Sequence, residues 1–238
     1  MFSRAMHVLV AFLLTAAVVV PRQESAGAGK QALQQRVAEL KESVAANRAK
    51  LQQYQWIETT QVFLKGEDKK TEQKLCQYGP DGKVQKSPIG PQQAPPKQQR
   101  GLKGKIVEKK VGELKDYMER LKSLVGEYVP PQREKIQDVV QAGKASLTPS
   151  EGTASIALND YYKPGDKVTF AFDTAAKKIR TFAVDTYLDD PKTDIVKLTA
   201  TFASLPDGAN YVSNTDLVSE SKHIEIKTSN SDYQKKGQ

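Results

Sequence analysis

The chain has 238 residues with 36 Lys plus Arg against 28 Asp plus Glu, a net charge of +8 and room for one domain or two small ones. A single cysteine, Cys76, excludes an intramolecular disulfide framework and any zinc site built from several thiolates. At 27% charged and 38% hydrophobic, the composition excludes wholesale disorder and a polytopic membrane protein.

The first 28 residues differ from the rest. Arg4 precedes an apolar run of 13 residues from Val8 to Val20, and Pro21, Arg22 and the small residues Ala26 and Ala28 follow. A basic start, an apolar centre and an A-x-A ending make a secretory signal peptide, and cleavage is expected after Ala28. The run is shorter than the ~17 to 25 residues a transmembrane helix needs. The expectation is an exported protein, periplasmic or extracellular, whose mature chain is 29–238. Loss of Arg4, Arg22 and Glu24 leaves it 34 basic against 27 acidic residues, a net charge of +7.

From Lys30 to Tyr54, the apolar positions Leu33, Val37, Leu40, Val44, Leu51 and Tyr54 are spaced by 4, 3, 4, 7 and 3 residues, which predicts an amphipathic helix laid on a sheet. Gln55 to Leu64, rich in β-branched and aromatic residues, and the alternating run ending at Tyr78 flank Lys65-Gly66-Glu67-Asp68 and predict a β-hairpin. Gly79-Pro80-Asp81-Gly82 marks a further turn, and a short third strand is expected to begin over Lys83 to Lys86.

Residues 87–105 hold four prolines, a cluster of glutamines and no acid, and are expected to form a loop or linker. A helical insertion over 106–145 follows. Val107, Val111, Leu114, Met118, Leu121 and Val125, spaced by 4, 3, 4, 3 and 4, give an amphipathic helix over Ile106 to Val129. Pro130 and Pro131 stop it, and a shorter helix runs to about Lys144. From Thr153 onward, runs such as Val168, Phe170, Phe172 and Val196, Leu198, Ala200, Phe202 alternate with polar residues and predict six strands, the last over Lys222 to Ser229. Their connections of five or six residues are too short for parallel crossovers, so an antiparallel meander is required. The expected fold is α+β: a strongly curved antiparallel sheet, an incomplete β-barrel of about eight to nine strands, covered by three helices in a single domain.

Few residues suggest catalysis. The mature chain keeps one histidine, His223, expected on the polar face of a strand, and Cys76 has no cationic setting in sequence. The chain has no G-x-S-x-G elbow, Walker-type loop, dinucleotide fingerprint or H-E-x-x-H. Asp189, Asp190 and Asp194 crowd the string DDPKTD, where oxygen ligands could hold calcium, but the spacing fits no EF-hand and suits a plain turn. The repeated strings YGPDGKV, YKPGDKV and LPDGANYV are read as chain reversals. The reading is therefore non-enzymatic, with no catalytic or metal residues and no cofactor.

Two surfaces remain. Between Lys83 and Lys105 there are six basic residues and no acidic one, and Lys97, Arg100, Lys103 and Lys105 would be attracted to an anionic membrane surface. Nucleic acid is not expected as a partner, since no aromatic residue interrupts the run to stack on bases. The second surface is the inner face of the sheet, where Trp56 or Phe63, on opposite sides of one strand, would join Phe170, Phe172, Phe182, Leu198 and Phe202. If the helices only partly fill a half-barrel, that face becomes an apolar cavity for a lipid or other hydrophobic ligand.

The order of elements, an amphipathic helix, then YQWIETTQVFLKGEDKKTEQKLCQYGPDGKV as hairpin and third strand, then helices and a meander, resembles the outer-membrane lipoprotein carrier superfamily. The resemblance implies an incomplete β-barrel capped by helices, with a cavity that takes the acyl chains of lipoproteins and an acylated protein as partner. Segment 87–105 and the long helix at 106–129 depart from the family's plan, and no ligand-gating residue of the family matches a position here. The alternative is a cell-envelope structural or protein-interaction module, in which the sheet face is a closed core.

Overall fold

The structure is a computed structural model that describes residues 46–90 and 102–237 together with positions 31, 35, 38 and 42; within 102–108 only the backbone is described. Ten strands form one sheet: β1 Tyr54–Leu64, β2 Glu67–Tyr78, β3 Val84–Ile89, β4 Ala145–Ser150, β5 Thr153–Asn159, β6 Lys167–Asp173, β7 Lys178–Tyr187, β8 Ile195–Ser204, β9 Asn210–Ser219 and β10 Ile224–Lys235. Their order across the sheet is β3-β2-β1-β10-β9-β8-β7-β6-β5-β4, which leaves β3 and β4 as edges, so the sheet is not closed into a barrel. Every neighbouring pair is antiparallel. The short connections force this meander from β4 to β10, and β1 then docks against β10.

Turn chemistry sets the registers. Lys65 and Gly66 both have positive φ (55° and 79°), as a two-residue hairpin between right-twisted strands requires. Bulges interrupt the ladders near Val62/Phe63, Ala171/Phe172 and Thr201/Phe202, and between Gln55 and Ile57. Each adds local bend and twist.

The long helix Leu102–Gly126 and the short helix Arg133–Gln141 lie on one face of the sheet. Tyr117, Leu121, Leu124, Tyr128, Val139 and Val140 are buried there in one cluster with Ile156, Leu158, Val168, Phe172, Phe182, Val184, Val196 and Leu198. The predicted stripe of the long helix explains this packing, since Leu114, Leu121 and Val125 point to the core while Val111 is exposed. Positions 31, 35, 38, 42 and 46–51 are helical, and Leu51 is half-buried.

Several boundaries move. Ten strands replace the expected eight or nine because Ala145–Ser150, whose apolar alternation is confined to Ala145 and Leu147 on the core side, pairs along its whole length with β5. Tyr54 opens β1 instead of closing the N-terminal helix, because it pairs with Lys235 of β10, and its phenol donates to Asp207 at 2.7 Å. Segment 87–105 is shorter than expected as a loop: β3 runs through Ile89, and the long helix begins at Leu102, so Lys103 and Lys105 are helical. β10 continues to Lys235, since its far end pairs with the start of β1. The predicted signal peptide, Leu33, Val37, Leu40, Val44, Lys97 and Arg100 lie outside the described residues.

Candidate ligand face of the sheet

Cross-strand partners share a face, so the register sorts the predicted aromatic residues. One row runs Ile156, Phe170, Phe182, Ala200, Thr215, Thr228, Thr60 and Glu72 from β5 to β2. A parallel row runs Leu158, Val168, Val184, Leu198, Leu217, Ile226, Val62 and Lys70. This is the face that the long and short helices cover on the β5–β8 side. Phe170, Phe172, Phe182, Leu198 and Phe202 come together on it. Phe172, Phe182 and Leu198 are buried in the core, whereas Phe170 and Phe202 are half-buried against it. Phe170 and Phe182 pack with ring centroids 5.1 Å apart.

Phe63 does not join them. It pairs with Glu225 and lies on the opposite face, under the Lys227 ammonium 5.4 Å from its ring centroid. That face is polar, with ion pairs Lys167–Asp185 (3.3 Å) and Lys197–Glu220 (2.8 Å). Trp56 follows the alternation of Glu58, Thr60 and Val62 and so shares their side of β1, but it heads a separate aromatic cluster. Its ring stacks on Tyr233 at 5.4 Å and tilts against Tyr78 at 5.6 Å, and Tyr233 in turn meets Tyr54 and Tyr211. Trp56 Nε1–H donates to Asn230 Oδ1 at 3.0 Å. Cys76, the cross-strand partner of Trp56, is fully buried, and burial pushes its thiol above the usual range. Such a thiol packs; it does not react.

The face changes character from one side of the sheet to the other. On β5 to β8 it is apolar, at β9, β10 and β1 it carries Thr215, Thr228 and Thr60, and on β1 to β3 it carries charge. Glu58, only 12% exposed, accepts hydrogen bonds from the Lys86 ammonium at 2.7 and 2.6 Å. Glu72 pairs with Lys70 at 2.5 Å and Lys74 at 3.3 Å, and the hydrogen bond from Lys70 is the main reason its carboxyl is held below the usual range. Sequence alternation gave no warning of this charged half, because Glu58 and Glu72 read as solvent-facing residues of any half-buried strand.

Two buried tyrosines tie the helices to the sheet, and composition gave no hint of either. Tyr128 Oη donates to Asp166 Oδ2 at 2.6 Å and lies 2.7 Å from Thr186 Oγ1. Asp166, 2% exposed, also accepts the backbone N–H groups of Tyr161, Tyr162 and Lys163 at 2.6 to 3.0 Å. Tyr117 Oη donates to Asp194 Oδ1 at 2.8 Å and contacts Ser219 Oγ at 2.6 Å. The acidic string DDPKTD is therefore dispersed: Asp194 serves Tyr117, Asp190 accepts the N–H groups of Lys192 and Thr193, and Asp189 pairs with Arg120. Among the described residues no group of three His, Cys, Asp or Glu converges as a metal site. His223 sits in the β9–β10 turn at φ 51°, not in a strand.

A surface recess of about 430 Å³ lies beside the aromatic cluster, lined by Gln52, Gln77, Tyr78, Gly79, Pro80, Gln85 and Lys236. No helix among the described residues is long and apolar enough to cross a membrane. Comparison of the chain with family models, curated proteins and solved structures gives no match.

Proposed function

We propose that this is an exported, non-enzymatic binding protein of the lipoprotein-carrier type, whose bent sheet accommodates an acyl chain or another hydrophobic ligand between its inner face and its helices. The observation that carries the reading is a strip of apolar residues that the helices leave incompletely covered. Phe170, Phe202, Val212, Leu217 and Ile226 lie half-buried along the inner face at the margin of the core. Bulges in β2, β7, β9 and β10 supply the bend a half-barrel needs. An acyl chain of ~14 methylenes at ~0.8 kcal/mol each would contribute roughly 11 kcal/mol before entropy and cavity costs.

The test is native mass spectrometry of the protein purified in mild conditions from a bacterial envelope, with Phe202→Asp and Phe170→Asp as variants. These positions are half-buried, so a charge there is better tolerated than at Phe172 or Phe182, which lie inside the core. A co-purifying acylated species that disappears from folded variants supports the carrier reading, and uptake by folded variants argues against it. The envelope interaction module is the second reading, and the burial of Phe172, Phe182 and Leu198 beneath the helices favours it. A protein that is empty and stable in every preparation would decide for it.

A further inference from the structure

We infer that the ligand is an amphiphile with an anionic headgroup, a phosphate monoester or diester on an acyl chain, held with its chain on the apolar rows of β6–β10 and its headgroup on the lysines of β2 and β3. The inference rests on the ligand-binding reading above and adds headgroup and orientation to it. A ligand that was only a hydrocarbon would face an apolar wall on every strand. Here the same face that carries Phe170 and Phe202 ends, three to five strands from β8, in Glu58, Lys74 and Lys86. Glu58 and Lys74 are Cα partners, and Lys86 is the partner of Cys76 next to them. Between the two zones stand the hydroxyls of Thr60 and Thr228, 3.4 Å apart, at the depth where an ester or glycerol would lie.

The sign of the headgroup follows from the donor count. Both oxygens of Glu58 are taken by Lys86, and those of Glu72 are taken by Lys70 and Lys74. The carboxylates are thus occupied. Each ammonium has three N–H donors and no acceptor, so three lysines against two glutamates leave donors unspent and one positive charge in excess. Lys70, Lys86 and Lys74 keep 52%, 44% and 32% of their side-chain surface exposed, against 39% for Glu72 and 12% for Glu58, so an incoming group meets the Lys70 and Lys86 ammoniums before either carboxylate. Charge-assisted hydrogen bonds to phosphate oxygens suit that arrangement; a cationic head does not.

Trp56 is the only tryptophan, on the same side of β1 as Glu58 and opposite Cys76, so its emission reports on this site directly. The full chain is titrated below the critical micelle concentration with lysophosphatidylglycerol and with uncharged monoacylglycerol of the same acyl length, followed by Trp56 fluorescence and by native mass spectrometry. The anionic amphiphile is expected to bind at least about tenfold more tightly, the size of one charge-assisted hydrogen bond. In Lys74→Gln/Lys86→Gln the preference is lost while monoacylglycerol binds as before. The pair Lys70→Gln/Lys74→Gln, which leaves Glu58 with its lysine, reduces the preference in the same direction and covers the case in which the first variant fails to fold. Equal binding of the two amphiphiles, or a preference that survives in both folded variants, overturns the headgroup assignment and leaves the hydrophobic-ligand reading standing. Binding of neither amphiphile by either readout overturns both.

Discussion

Asp166 does more for this fold than its place in a turn suggests. One carboxylate, 2% exposed, takes a phenol hydroxyl and three backbone N–H groups, so it closes the loop between β5 and β6 and fastens the end of the long helix to it. Removing it strands four donors in a dry site, at a net cost of a few kcal/mol. Asp166→Ala is expected to lower unfolding stability by about 3 kcal/mol or more in urea titrations, and Asp166→Asn by less, since the amide still accepts through one oxygen. In the sequence Asp166 belongs to YKPGDKV, a string whose turn was legible, while its tether to Tyr128 was not, because nothing local connects two positions 38 residues apart.

The tyrosines make a pH prediction at the same scale. Burial is the main reason that Tyr78, Tyr117, Tyr128, Tyr161 and Tyr233 resist ionisation above the ordinary phenol range near 10. The unfolded chain ionises first, so stability from these phenols is intact below about pH 10 and is lost as pH rises beyond it. Unfolding midpoints measured from pH 8 to 12 should hold and then fall, and Tyr233→Phe should soften the fall while leaving the pH 8 value little changed.

Among elements, the edges show how much a residue pattern conveys. β6, β7 and β8 were readable because a sheet with one wet face imposes strict alternation. β4 was not, since ASLTPS offers only Ala145 and Leu147 to the core, too short an alternation to stand out, and is fixed as a strand by pairing with β5. Both edge strands carry a proline at their next-to-last position, Pro88 in β3 and Pro149 in β4. Proline has no N–H to offer an arriving strand, so it blunts an edge that would otherwise template association. Pro88→Val and Pro149→Val together should increase self-association, seen as faster-sedimenting species in analytical ultracentrifugation; an unchanged monomer profile would mean that other features guard the edges. Alternation along β1 likewise fixed that Trp56 and Phe63 oppose one another, but not which side meets the core. That choice is made by the β1–β10 register, which pairs Val62 with Ile226, and it sends Phe63 outward.

At the scale of the whole molecule, the sheet is a continuous meander with one exception: the strand formed first in sequence docks on the strand formed last. Val62 and Ile226 meet although about 160 residues separate them. Loop-closure entropy makes such a pairing late, and late contacts govern unfolding more than folding. Ile226→Ala is expected to destabilise the protein by about 1 to 2 kcal/mol, expressed as faster unfolding with a nearly unchanged folding rate in chevron plots. A folding rate slowed in proportion to the lost stability would place the β1–β10 seam in the nucleus instead.

That seam also decides how the protein bears load. Tyr54 at the head of β1 is the partner of Lys235 at the tail of β10, and the Lys236 N–H closes on Gln53 O at 2.8 Å, so β1 begins and β10 finishes side by side, at the same end of two neighbouring inner strands. A force drawing residues 53 and 236 apart acts across the rungs of the ladder, not along it. The hydrogen bonds then break in succession like a zipper, each bearing the full tension alone, instead of sharing it as sheared strands do. Held at residues 53 and 236 in an optical trap, the sheet should open at low force between β1 and β10, starting from the Trp56 end of the seam. The same architecture pulled through two turns at opposite ends of a strand pair should resist far more.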